Sequence, residues 1–155
     1  MLANSIKNQT QRIFLSIEIL LESIPENEFN TIKGGFLTWK HFYHLIYTLD
    51  KYFIDPSNFN DPLFHKKNMC ITNMDNDNIL SKNEIKEYYN NVKTKTQDYI
   101  NKLDDKILEE KIPLDGMEFT KLELILGQLR HSFYHIGYFH CCIKMEKGEA
   151  PEYMY

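Results

Sequence analysis

A stretch of about 25 residues from Pro56 to Leu80 shows no helical period, and it lies between segments that do. Four segments carry apolar residues at spacings of three and four, the repeat that lines them up on one face of an α-helix. The first runs roughly from Asn4 to Ser23, with Ile6, Ile13, Ile17, Leu20 and Ile24 in line; Pro25 and the polar Glu26-Asn27-Glu28 end it. Gly34-Gly35 breaks the chain before the second, about Thr38 to Ile54, whose seam is Trp39, Phe42, Ile46, Leu49 and Phe53. Asp55-Pro56 stops it, because proline disfavours helix at the residue before it. Ser81-Lys82-Asn83-Glu84 has the form of a capping box, each end satisfying a backbone N–H of the other. It opens a third helix carrying Ile85, Tyr89, Val92, Tyr99 and Leu103. Asp115-Gly116-Met117-Glu118, just after Pro113, reads as a second capping box. The fourth helix then runs to about Lys147 along Leu122, Ile125, Leu129, Phe133, Ile136, His140 and Ile143.

The connections decide how four such helices can be joined. Those between helices 1 and 2 and between 3 and 4 are short enough for antiparallel neighbours. The long one can run the length of a bundle, so helices 2 and 3 are expected to be parallel. The expectation is an all-α four-helix bundle of up-down-down-up topology, one domain over residues 1–155. No strand-like alternation is long enough to compete, and no internal repeat is present.

Composition removes several function classes. Eighteen Lys and Arg face 22 Asp and Glu, a net charge of −4, with both signs mixed along the chain. No basic block marks a nucleic-acid surface. Cys70, Cys141 and Cys142 are an odd set with one adjacent pair, which is no disulfide framework and points to a reducing cytoplasm. The first residues lack a signal-peptide plan, and no apolar run reaches membrane-spanning length.

Six histidines are the most distinctive chemistry. His131 and His135 are four apart on the fourth helix, so their imidazoles stack on one face, an arrangement that can hold a single metal ion. That face also carries Leu124, Gln128, Tyr138 and Cys142, and it is neither charged nor fully apolar. It can meet a helix across a groove, a dimer partner or a metal, and a pair of groove histidines without metal is the plainer alternative. His140 falls in the apolar stripe and reads as a buried, hydrogen-bonded core histidine. On the second helix His41 flanks one edge of the seam, beside Tyr52, and His44 lies further round, beyond Tyr47 and close to Lys51; either can be a polar rim residue, and pattern alone does not choose between them. His65, in the long connection, gives no signal.

Three stretches carry a resemblance. Trp39-Lys-His-Phe-Tyr-His44-Leu-Ile-Tyr-Thr-Leu-Asp50-Lys-Tyr52 resembles the second-helix motif of the DinB/YfiT-like superfamily. There a Trp is followed five residues later by a ligand His, then by an Asp and an aromatic. Leu129-Arg130-His131-Ser-Phe-Tyr-His135-Ile-Gly137 is similar to its fourth-helix motif, and Ser81 to Tyr88 to its third-helix start. The resemblance spans nearly the whole chain and implies the same bundle topology. It implies one divalent metal held by His44, His131 and His135, with zinc or nickel suiting imidazole ligands. It also implies thiol chemistry: characterised relatives include transferases and isomerases that use bacillithiol, mycothiol or glutathione. In that reading the metal would present a low-molecular-weight thiol to a small electrophile, with Tyr134 or Tyr138 positioning substrate. Members often have two adjacent histidines where this chain has Tyr134-His135, and Gln where it has Tyr138.

Other signals compete. Asn73 to Glu84 fits much of an EF-hand loop, with oxygen side chains at Asn73, Asp75 and Asp77 and Glu84 at position 12. Asn73 lacks the usual charge and no second loop exists, so a polar turn feeding the third helix, without tight calcium binding, is expected. Cys142 lies two turns beyond His135, roughly 10 Å along the axis, too far for a common ion. Asp50 and Glu118 are candidates to support the ligands. The functions to be weighed are a metal-dependent thiol S-transferase or hydrolase, a non-catalytic stress-related or binding protein of the same fold, and a calcium-responsive module. A small-molecule substrate and a homodimer are compatible with all of this; nucleic acid and membrane are not expected.

Overall fold

The computed structural model describes residues 2–70 and 78–152. The chain is mostly helical, and among the described residues four helices account for most of it: α1 Leu2–Ser23, α2 Thr38–Tyr52, α3 Lys82–Asn101 and α4 Lys121–Lys147. Each buries the stripe its spacing marks. Ile13, Ile17 and Leu20 of α1, Trp39, Phe42 and Ile46 of α2, Ile85 and Val92 of α3, and Ile125 and Ile136 of α4 meet in one core. Phe139 of α4 stacks between Phe42 and His41, with ring centroids 4.3 and 4.2 Å away, and Phe29 extends the column beyond Phe42 at 5.5 Å.

The third helix starts where its capping box places it. Ser81 Oγ accepts from the Glu84 N–H at 3.2 Å, and the Glu84 carboxylate accepts from the Ser81 N–H at 2.8 Å. The fourth does not start where expected. Its cap is Thr120, whose Oγ1 accepts from the Glu123 N–H at 3.1 Å while the Glu123 carboxylate accepts from the Thr120 N–H at 2.7 Å. Asp115 and Gly116 instead form the turn of a hairpin between β3 (Lys111–Leu114) and β4 (Met117–Thr120). Both have positive φ, 50° and 78°, as a two-residue turn matching the strand twist requires. Gly34 and Gly35 do the same between β1 (Ile32–Lys33) and β2 (Phe36–Leu37), with φ of 60° and 94°. The expectation of a chain without strands is corrected to this extent: pairs of two and four residues are too short to show as alternation.

Contacts between helices have a definite order. Along α2 and α3 the paired residues ascend together: Tyr43 against Tyr88 at 5.7 Å between centroids, Asp50 with Lys95 at 2.6 Å, Phe53 against Tyr99 at 6.4 Å. Between α1 and α3 the order reverses, with Lys7 reaching the Asn101 carbonyl and Glu22 pairing with Lys86. Between α2 and α4 it reverses too, His41 meeting Phe139 and Thr48 meeting His131.

Two assignments on α4 change. The core position falls to Phe139, 1% exposed, and His140 beside it is half-buried, its imidazole pKa lowered by that burial. His135, expected outside the core, is buried at 6% exposure. In the EF-hand-like stretch, Asn73 to Asp77 lie outside the described residues. Of the remainder, Asn78 has φ 59° and Glu84 is engaged in the α3 cap. Among the described residues no helix is long and apolar enough to cross a membrane.

Candidate metal centre

The antiparallel contact of α2 and α4 brings His44, His131 and His135 together. On α2, His41, His44 and Thr48 share one face through spacings of three and four; on α4 the i,i+4 pair faces them. The Nε2 atoms of His44 and His135 lie 3.3 and 3.0 Å from Nε2 of His131. One ring nitrogen from each of the three lies within 4.8 Å of the others. Ligands held about 2 Å from one ion sit about 3 Å apart, so the spacing suits a shared cation.

The opposite nitrogens show where the protons are. His44 Nδ1 is 2.6 Å from the Cys70 carbonyl, which can only accept, so Nδ1 carries the proton. Thr48 donates its hydroxyl proton to the Leu45 carbonyl at 3.0 Å. It therefore accepts from His131 Nδ1, 3.3 Å away. With Nδ1 protonated, neutral His131 presents a bare Nε2 lone pair toward the Nε2 atoms of His44 and His135. His135 Nδ1 lies 2.5 Å from Nε2 of His41. A metal ion among the three rings could engage all three nitrogens at once, where a single proton could bridge at most two.

Burial, reinforced by the neighbouring histidines, lowers His135 to about 2, His41 to about 3 and His131 to about 4. All three are neutral at neutral pH, the form that binds metal.

The other candidates fall elsewhere. Asp50 accepts from Tyr88 at 3.0 Å and from Lys95 at 2.6 Å, and Glu118 pairs with Lys111 on the second hairpin at 3.0 Å. Neither supports the histidines. Cys142 faces Gly34 and Tyr138 instead of the histidines. Tyr138 donates its hydroxyl to the Gly34 carbonyl and packs against His41 and Phe36. Tyr134 is 67% exposed, with its ring edge-on to His135 at 5.1 Å. Thr48 and the Cys70 carbonyl add contacts that no motif in the sequence marks. Thr48 was detectable as the residue four beyond His44 on the same face. A backbone carbonyl from the long connection leaves no mark in sequence.

Three histidines from two of the four helices, each with its second nitrogen engaged, define a helical protein with a histidine cluster between α2 and α4 that could hold a metal ion. The chain belongs to the DinB superfamily, whose family model matches residues 10–139. No curated protein and no solved structure matched the chain.

Proposed function

We propose that this protein binds one divalent transition metal, zinc or nickel, through Nε2 of His44, His131 and His135, and uses it in transfer chemistry on a low-molecular-weight thiol such as bacillithiol or glutathione. The observation that carries the metal is the convergence of ring nitrogens whose opposite faces are held by Cys70 and Thr48. A bound ion would supply Lewis acidity, lowering the pKa of a water or thiol in the position the histidines leave open. The chain's own part is to hold three neutral donors, to exclude water around buried His135, and to offer Tyr134 as the exposed group beside the site. Among the described residues, the hydrogen bonds of the three histidines go to one another, to His41, to Thr48 and to the Cys70 carbonyl, and none to a carboxylate. That fits a thiol reactant made acidic by a bound metal, its proton passing to solvent. It equally favours the second reading, a non-catalytic metal-binding protein of this superfamily.

The up-down-down-up arrangement, with the connection from Pro56 to Leu80 as the crossover, belongs to the same reading. The ascending contacts of α2 with α3 and the descending ones of α2 with α4 support it. A cytoplasmic location fits a thiol cofactor.

The test is elemental analysis of protein purified without an affinity tag, followed by thiol turnover with a small electrophile. About one equivalent of metal and metal-dependent turnover support the whole reading. Metal without turnover supports the binding protein, and no metal in protein incubated with zinc and nickel overturns both.

A further inference from the structure

His41 was one of two residues on α2 that pattern could not separate, and the structure gives it a different place from His44. Its Nε2 meets Nδ1 of His135, the nitrogen on the far side of that ring from His131 and His44. It is therefore turned away from the candidate ion. Its own ring is clamped: Phe139 stacks on it at 4.2 Å and 23°, and the edges of Phe36 and Tyr138 approach at 5.6 and 5.2 Å. At 2% exposure it has no water to turn toward. An imidazole bound through Nε2 must carry its proton on Nδ1, and the acceptor of that proton sets both the tautomer and the ring orientation.

We propose that His41 is a positioning residue for the metal centre, accepting the Nδ1–H of His135 and so fixing His135 in the tautomer that leaves Nε2 free to bind. This rests on the three-histidine reading above. It makes the site a chain of two imidazoles, His41 behind His135, where the other two ligands are backed by a hydroxyl and a carbonyl. The acceptor is a neutral ring nitrogen locked by aromatic packing, so it orients His135 without adding negative charge to the centre.

The test compares His41→Phe, which keeps the aromatic stack but offers no acceptor, with His41→Gln, whose amide oxygen reaches about as far as Nε2 of histidine. Zinc affinity is measured by chelator competition, and the tautomer of His135 by nitrogen-15 NMR of the metal-free protein. Thermal melting checks that both variants fold. The expected result is a 10- to 100-fold weaker zinc affinity for His41→Phe, as for other residues that support metal ligands, and near-native affinity for His41→Gln. His135 should be the Nδ1–H tautomer in the native protein and His41→Gln, and shift toward Nε2–H in His41→Phe. Native affinity in His41→Phe, equal loss in both variants, or an unchanged tautomer would overturn the proposal. If the native protein binds no zinc or nickel, the three-histidine reading fails; the metal-free tautomer still decides whether His41 orients His135.

Discussion

Thr48 shows how one side chain settles the chemistry of another. Its hydroxyl proton is committed to Leu45, so toward His131 it can only accept. Thr48→Val keeps the shape and removes the acceptor, and should weaken zinc binding about 10-fold with little change in fold, measured by competition with a chromogenic chelator. The ligands themselves should separate by burial. His131→Ala should abolish binding and leave the melting temperature of the metal-free protein nearly unchanged. His135→Ala should abolish binding and also destabilise, because this ring is buried and its removal leaves a cavity. Equal melting temperatures for the two variants would show that His135 is not packed as described.

At the scale of elements, the start of α4 separates two readings of the same stretch. Thr120 and Glu123 carry the cap, so Thr120→Ala should cost about 1 kcal/mol in urea unfolding. Glu118→Ala, at an exposed pair with Lys111, should cost less than that, in line with surface ion pairs generally. The reverse order would return the cap to Asp115–Glu118. The first hairpin makes a second case. Gly34 has φ 60°, and a Cβ there would run into the Tyr138 hydroxyl and Cys142 Sγ. Gly34→Ala should therefore destabilise by about 1–3 kcal/mol, backbone strain and overpacking acting together, read as a lowered melting temperature.

For the whole molecule, the buried imidazoles couple stability to pH. Their folded pKa values lie below the usual 6.5, so below about pH 6.5 the unfolded chain binds protons that the folded one refuses. The contribution is complete above that pH and is lost progressively as the pH falls through the folded values of about 4, 3 and 2. Metal-free protein should lose stability over that window, and replacing His131 or His135 should flatten the slope, measured by urea unfolding at a series of pH values. Saturating zinc should raise stability by about 2.7 kcal/mol at a hundredfold excess over Kd, and EDTA should reverse it; a melting temperature indifferent to EDTA after zinc loading would argue against a site in the folded state.

The periodicity of the sequence was enough to place α1, α2 and α3, because a stripe at three-and-four spacing can be buried only by a helix. It also put His131 and His135 on one face, since i,i+4 geometry is local. The hairpins escaped it, because an Asp-Gly turn before an acidic residue satisfies both a capping template and a turn template. Only the pairing of Lys111–Leu114 with Met117–Thr120 chooses between them. The roles of His41 and His44 were likewise undecided by any local rule: both sit on the same face of α2, three residues apart. Which imidazole meets Nε2 of His131 and which meets Nδ1 of His135 depends on how far α4 is shifted along α2, and at the observed shift Phe139 stacks between Phe42 and His41. A backing group such as the Cys70 carbonyl belongs to the chain path alone, and only the tertiary structure could bring it to His44.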